Sequence, residues 1–315
     1  MCMVNSGVSI VVDDTRTNKQ IYGVVAIVVT YEPNDAQLLR NLLALSVQVS
    51  QVIVVDNGST TIDVQDYLSK QGIGNITLIS LSKNYGIAYA QNRGIEYAKK
   101  TNGLYVLLMD QDSLPAPNMV EALYVETLKF DHLAIVGPVY LSQYQNNVSV
   151  ITNVIGLRRH RKICDENHPI VKSDALIASG TLISIHILNQ VGQMNEELFI
   201  DYVDTEWGLR AKSLGFDSYV VWRAKMVHQL GNHAINFMGR KMIVHSPFRR
   251  YYMYRNAILL YKMKHIPLNW KIVDCSRILL RAVFYSLTNC PRFENFKMIL
   301  LGLWHGLLGK TGSLK

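Results

Sequence analysis

The chain has 315 residues and a mass of 35.7 kDa, with 49% apolar and 18% charged side chains. That composition excludes disordered and fibrous classes and fits one large domain, or a medium one with an appendage. Charge is unevenly spread: residues 236–315 hold 14 basic and 2 acidic side chains, net +12, against net −4 for residues 1–235. An acidic body with a basic tail is expected.

Cys2, Cys164, Cys275 and Cys290 form no C-x-x-C pair, which argues against a zinc knuckle or a disulfide framework and for a reducing compartment. The opening MCMVNSGVSIVVDDTRTNKQ lacks a positive n-region and a cleavage site, so it does not read as a signal peptide. No window reaches the ~20 apolar residues a bilayer span needs; Met298–Leu308 covers about half that length. The tail is expected to lie on a membrane rather than cross one.

From Tyr22 onward, β-branched runs alternate with helical patterns, the signature of βα units around a mainly parallel sheet. The first predicted strand is Gly23–Tyr31, followed by a leucine-striped helix over Asn34–Val47. Gln51–Ser59 is the second strand, Asn75–Leu81 the third, with a helix over Ile87–Lys100. Leu104–Asp112 is the fourth, and Pro115 and Pro117 open a helix over Met119–Phe130. Leu133–Leu141 reads as a strand, Tyr144–Asp174 as a long irregular stretch with the basic cluster Arg158, Arg159, Arg161 and Lys162, and Ala175–Ile185 as another strand. Residues 196–215 read as a helix entered through an acidic segment, and Phe216–Gly231 as a strand ending near His228.

The polar residues of interest thus sit just beyond the carboxyl ends of buried strands, where open α/β sheets bind ligands. Asp110 and Asp112, two apart at a strand end, can converge on a hard divalent cation that clamps a diphosphate; the bland reading is an Asp-rich turn before a proline. Asp56 in VVDNGS either caps the following turn or accepts hydrogen bonds from a nucleoside. Asp201, Asp204 and Glu206 are bunched at a helix start, where the dipole favours acids, and one of them is a candidate general base. A lone histidine such as His228 is more often a hydrogen-bonded core residue than a ligand.

Together, TYEP at Thr30, VVDNGS at Asp56, NYGIAYAQNRGI at Asn84, LLMDQDSLP at Asp110, ASGTLIS at Gly180, FIDYVDTEW at Asp204 and HQLG at His228 carry a resemblance. In order and spacing they are similar to the inverting glycosyltransferases of family 2, which have the GT-A fold. The likeness runs over about residues 22–262 and is closest to the bacterial rhamnosyltransferase branch, where YVDTEW and a segment like RRYYMYRN (Arg249–Asn256) are typical. The resemblance implies that Thr30, Tyr31, Glu32 and Asp56 hold the nucleoside of a nucleotide-sugar donor, with Asn84 and Gly86 lining the same cleft. It implies that Asp110 and Asp112 form the DxD motif for Mg²⁺ or Mn²⁺, with Asp112 the direct ligand and His228 completing the shell. The family's acidic pair here begins with Val203, so Asp204 inherits the role of base and Glu206 is held in reserve. No Q-x-x-R-W motif follows, so single-sugar transfer is expected.

The implied architecture is an N-terminal extension (1–21), a GT-A catalytic domain (22–235) with a mainly parallel sheet, and a basic, mostly helical extension (236–315). The implied reaction moves L-rhamnose from dTDP-L-rhamnose to a saccharide or polyprenyl-linked acceptor in bacterial surface polysaccharide synthesis; another UDP- or dTDP-sugar is the alternative donor. The tail reads either as packed helices with solvated charges or as interfacial helices on an anionic inner leaflet, each basic residue near the surface contributing about 1 kcal/mol. The second reading places the protein in the cytoplasm, peripheral on the cell membrane. A nucleic-acid module with a degenerate nucleotide fold is the non-enzymatic alternative; the acidic body argues against nucleic acid as partner. A haloacid-dehalogenase-type phosphatase would carry its DxD after the first strand, not the fourth, and a dehydrogenase would need G-x-G-x-x-G there.

Overall fold

The computed structural model describes residues 20–142, 150–228, 234–237, 240–243, 246–288 and 291–314. The expected N-terminal extension, residues 1–21, lies almost wholly outside them, as do 143–149 of the stretch expected to be irregular.

The first half alternates β1 (Ile21–Thr30), α1 (Asp35–Ser46), β2 (Val49–Asp56), α2 (Val64–Ser69), β3 (Ile76–Ser80), α3 (Ile87–Lys100) and β4 (Tyr105–Asp110). After it come β5 (Ser113–Pro115), α4 (Met119–Leu128), β6 (Ile135–Ser142), the hairpin β7 (Val150–Ile155) and β8 (Arg158–Ile163), β9 (Ile170–Ser173), β10 (Thr181–Ser184) and α5 (Ile185–Val191). The chain continues through α6 (Val203–Ser213), β11 (Ser218–His228), the hairpin β12 (Ala234–Phe237) and β13 (Arg240–Ile243), then α7 (Pro247–Lys262), α8 (Leu268–Thr288) and α9 (Arg292–Leu307).

β1 is apolar almost throughout because both its faces are covered. Val25, Ile27 and Val29 face α3, whereas Val24, Ala26 and Val28 face α1 and α4, so the two-residue strand period divides the core into two layers. The sheet runs β3-β2-β1-β4-β10-β6-β11-β5, with β9 also paired to β11. The long neighbours β1–β2, β1–β4, β2–β3 and β6–β11 are parallel; β10, β5 and β9 run against their partners. Register sets Thr30 opposite Asp56 and Val29 opposite Asp110. From β1 the chain builds outward to β2 and β3 on one side and to β4 on the other, which opens a crevice at these carboxyl ends.

Three regions differ from the sequence reading. Ala175–Ile185 is not one strand: only Thr181–Ser184 pairs, and the Ser184 hydroxyl then caps α5 by accepting from the Ile187 N–H. Residues 196–215 are not one helix: a 3₁₀ turn (Glu196–Leu198) is followed by a kinked linker before α6 begins. Within 144–174 the described residues form the β7–β8 hairpin and β9; every residue of β8 is exposed, so no apolar alternation marked it.

The C-terminal helices are not all peripheral. α7 buries Tyr251, Tyr252, Arg255 and Asn256, and α9 closes over it at Gly302, where a Cβ atom would fall 2.5 Å from the Tyr251 carbonyl oxygen. α8 and α9 also keep large apolar side chains in solvent, among them Leu268, Leu280, Phe293 and Trp304. No helix of the described residues is long and apolar enough to cross a membrane.

Candidate active site

At the end of β1 the Thr30 hydroxyl donates to Asp56 Oδ1 (3.1 Å), and the Ser59 hydroxyl donates to the same oxygen (2.6 Å). Ser59 in turn accepts from the Glu32 N–H (2.9 Å). Asp56 is therefore a buried acceptor at the floor of the crevice, braced by the turn that the sequence showed as Asn57-Gly58-Ser59. Glu32 has left-handed backbone (φ 46°), and its carboxylate takes up the hydroxyls and N–H groups of Thr61 and Thr60. Those bonds, the Thr61 hydroxyl foremost, hold its pKa down to about 2. Glu32 thus fixes the crevice rim, and half-exposed Tyr31 stands beside it.

Asn84 and Gly86 close the other side. Asn84 Oδ1 accepts from the Gly86 N–H (2.9 Å) and from Asn57 Nδ2 (3.1 Å), while Asn57 Oδ1 accepts from the Tyr85 N–H (3.0 Å). Gly86 starts α3 at φ 94°, and a Cβ there would lie 2.6 Å from the Phe199 carbonyl oxygen. Only glycine lets the 199–202 segment approach so closely.

The Asp110–Ser113 turn is held by main-chain and side-chain bonds. The Asp110 N–H donates to Ser179 Oγ (3.1 Å), and the Asp110 carbonyl accepts from Asn41 (2.9 Å). The Asp112 carbonyl accepts from Gln37 (3.1 Å), and Ser113 Oγ accepts from Ser179 Oγ (2.8 Å). Gln111 reaches back to the Tyr31 main chain, accepting from its N–H (2.8 Å) and donating to its carbonyl (3.2 Å). The antiparallel pairing of β5 with β11 sets the His228 backbone opposite Ser113. The His228 side chain lies outside the described atoms, and the described residues hold no group of three or more His, Cys, Asp or Glu side chains disposed around a metal position. Two strand-end aspartates, with water and phosphate oxygens as further ligands, are nevertheless a set that fits Mg²⁺ or Mn²⁺.

Asp204 occupies the first turn of α6, after three non-glycine residues in left-handed conformation: Phe199 (φ 63°), Asp201 (φ 62°) and Tyr202 (φ 63°). Such backbone costs about 1–3 kcal/mol per residue and persists only where its surroundings over-determine it. Here they do. The Asn256 amide donates to the carbonyls of Leu198 (2.8 Å), Ile200 (2.7 Å) and Asp201 (2.8 Å), Arg255 donates to those of Glu197 and Leu198, and Arg249 binds both carboxylate oxygens of Asp201. Arg249, Arg255 and Asn256 all belong to the RRYYMYRN run on α7, which the sequence presented only as a basic, aromatic helix. Asn256→Ala should cost on the order of 3 kcal/mol in urea denaturation, because buried carbonyls left without a donor cost about 1–3 kcal/mol each. It should also lower kcat, with donor KM nearly constant, since the segment it holds carries Asp204.

Burial raises the Asp204 pKa above the usual carboxylate range, the negative charge of Asp201 adds to this, and the N–H groups of Thr205 and Ala178 partly oppose it. The Tyr140 hydroxyl donates to the Ser179 carbonyl (3.2 Å). Burial first, then the charges of Asp204 and Asp110, push its pKa up, so the phenol stays protonated. Glu206, two residues along the helix, is buried in a forked ion pair with Arg210 (2.9 and 3.0 Å), and His265 Nε2 lies 2.9 Å from its Oε1. Arg210 also donates to the carbonyls of Val191 and Gln193, which makes Glu206 part of an internal brace. Sequence reasoning gave no role to Gln111, Tyr140, Ser179 or Arg249; Gln111 sits between Asp110 and Asp112, Ser179 and Arg249 lie in the ASGTLIS and RRYYMYRN segments, and nothing local distinguished Tyr140.

The strand order, the crevice at the carboxyl ends and the acids around it are those of a GT-A glycosyltransferase. The chain belongs to Glycosyl transferase family 2, whose model matches residues 25–182. It is 35% identical over 300 residues to the dTDP-rhamnosyl transferase RfbF of Shigella flexneri, an alignment covering 94% of this chain and 98% of that one. Its fold is similar to that of S. aureus TarS residues 1–349 (TM-score 0.53, 14% identity, 90% of this chain and 80% of that chain). It is also similar to GalNAc-T7 crystallised with UDP, GalNAc and Mn²⁺ (TM-score 0.56, 12% identity, 84% of this chain and 57% of that longer chain).

Proposed function

We propose that this glycosyltransferase transfers L-rhamnose, with inversion, from dTDP-L-rhamnose to a saccharide acceptor carried on a lipid, in the assembly of a bacterial surface polysaccharide. The observation that carries the donor assignment is the 35% identity with a dTDP-rhamnosyl transferase along nearly the full length of both chains.

In this reading Asp56, with Thr30 and the Tyr31–Glu32 main chain, receives the nucleoside, and Asn84 and Gly86 shape the wall beside it. Asp110 and Asp112 would hold Mg²⁺ or Mn²⁺, with His228 as a further ligand. The bound cation supplies counter-charge to the departing diphosphate. Asp204 accepts the proton of the acceptor hydroxyl as that oxygen bonds to the anomeric carbon and the bond from carbon to the diphosphate oxygen breaks. Burial raises the Asp204 pKa above the ordinary carboxylate range, which makes its carboxylate a stronger proton acceptor. Glu206 serves α6 as a brace rather than the reaction.

Work at the cytoplasmic face of a membrane follows from a lipid-borne acceptor, and the exposed apolar side chains of α8 and α9 among a net +12 tail support it. The test is a transfer and hydrolysis screen over UDP-, GDP- and dTDP-sugars with Mg²⁺ or Mn²⁺. Preferred turnover of dTDP-L-rhamnose is expected; preference for another UDP- or dTDP-sugar would replace the donor, and no turnover of any would end the reading.

A further inference from the structure

A groove of about 510 Å³ runs between the β7–β8 hairpin and α8, away from the nucleotide crevice. The hairpin is tied to the helix where Asn269 Nδ2 donates to the Gly156 carbonyl (3.1 Å). Part of its lining is apolar: Leu157 (65% exposed) on the hairpin and Ile272, Leu280 (74% exposed) and Phe284 on α8. Part is basic: Arg159 on the hairpin and Arg277 and Arg281 on α8.

Among the described residues lining this groove and the hollow beside it, the acids are Asp174 and Asp274; Asp174 is bound by Lys212 (2.5 Å) and the Val154 N–H (2.6 Å). Partial desolvation against α8 lowers the Arg159 pKa, and repulsion from Arg277, Arg161 and Arg281 lowers it further, with Asp274 the opposing charge. Asp274 is already engaged: its Oδ2 accepts from the hydroxyls of Tyr202 (2.8 Å) and Tyr261 (2.9 Å), and its Oδ1 accepts from Arg277. A cluster of guanidinium groups beside carboxylates that are already engaged favours an anion, because each can give charge-assisted bonds to phosphate oxygens. Hydrocarbon surface alongside favours a ligand that is also apolar.

The groove also leads somewhere. It adjoins a second hollow of about 160 Å³ and shares Arg159, Val273 and Arg277 with it. That hollow is lined by Asp174, Trp270 and Thr205, and the Thr205 N–H donates to Asp204 (2.7 Å). A ligand with its charged group on the arginines can therefore extend a polar portion toward Thr205 in the first turn of α6, the residue next to the candidate base.

We propose that this groove binds the lipid end of the acceptor: a phosphate or diphosphate ester of a long apolar alcohol, its phosphates on Arg159, Arg277 and Arg281 and its chain against Leu157, Leu280 and Phe284. This rests on the reading of the chain as a transferase with a lipid-borne acceptor, and it assigns that acceptor a site.

The test uses the full chain and farnesyl diphosphate as probe, followed by calorimetry, with farnesol and inorganic diphosphate as fragments. Farnesyl diphosphate should bind at least tenfold tighter than either fragment. R159E/R281E should weaken it by roughly 10- to 100-fold, the loss of two charge-assisted contacts. Leu280→Ser, on an exposed position that folding does not need, should weaken farnesyl diphosphate and leave inorganic diphosphate unchanged. In both variants dTDP affinity and slow hydrolysis of the donor by water should match the parent. Unchanged binding in R159E/R281E overturns the site, as does inorganic diphosphate binding as tightly as the prenyl ester. Equal competition by phosphatidylglycerol vesicles overturns it too, since the groove would then serve the bilayer. Farnesyl diphosphate binding with the expected variant losses, but no turnover of any nucleotide sugar, would uphold the groove and count against the transferase reading alone.

Discussion

Asp204→Asn is expected to lower kcat by about 10²- to 10⁴-fold, the usual contribution of a positioned general base. The amide is nearly isosteric with the carboxylate and keeps the acceptor oxygen for the Thr205 N–H (2.7 Å), so the first turn of α6 should stay in place. It cannot take a proton. Donor KM should barely move, because the nucleoside residues lie at the ends of β1 and β2. The pH profile gives a second readout. If Asp204 is the base, it acts as the carboxylate, and because burial raises its pKa activity should be lost on acidification at a pH above the ordinary carboxylate range. That acid limb should vanish from the residual activity of the variant. Glu206→Gln should behave differently: it breaks a buried ion pair with Arg210, at a cost of about 3 kcal/mol or more in stability. If Glu206→Gln instead removed turnover in a stably folded protein while Asp204→Asn kept it, the two acids would have to exchange roles.

Asp112→Ala is expected to abolish transfer to within roughly 10⁻³ of the parent rate, since charge stabilisation by a bound cation amounts to several kcal/mol. Excess EDTA should do the same to the parent protein, and Mg²⁺ or Mn²⁺ should restore it. The variant should also lose the metal-dependent part of its affinity for dTDP, measurable by titration without any sugar. Full activity in excess EDTA would end the metal reading.

The two acids of α6 mark where local sequence stops being informative. Asp204 and Glu206 are two residues apart at a helix start and look alike in one dimension. What separates them is that Glu206 meets Arg210 one turn on and His265 from beyond α7, whereas Asp204 meets the N–H groups of Thr205 and Ala178 near the DxD turn. The linker before them was equally opaque. Three left-handed residues in Phe-Ile-Asp-Tyr contradict local preference, and only Asn256, Arg255 and Arg249, some fifty residues away, hold them so.

The buried strands were legible because a strand covered on both faces must be apolar along its length, and β1, β2 and β4 are. Once they are placed, a polar residue ending each run has to lie at the carboxyl edge, which is why Thr30, Asp56 and Asp110 could be named together before any coordinates. The ordered motifs did the same for the family. Tertiary structure alone decided the rest: that β10 yields at once to α5, that an exposed basic hairpin and α8 enclose a groove, and that a segment of the basic tail grips the loop before Asp204. In each case the deciding contacts join residues far apart in the chain, and their energy comes from partners that no local window of sequence contains.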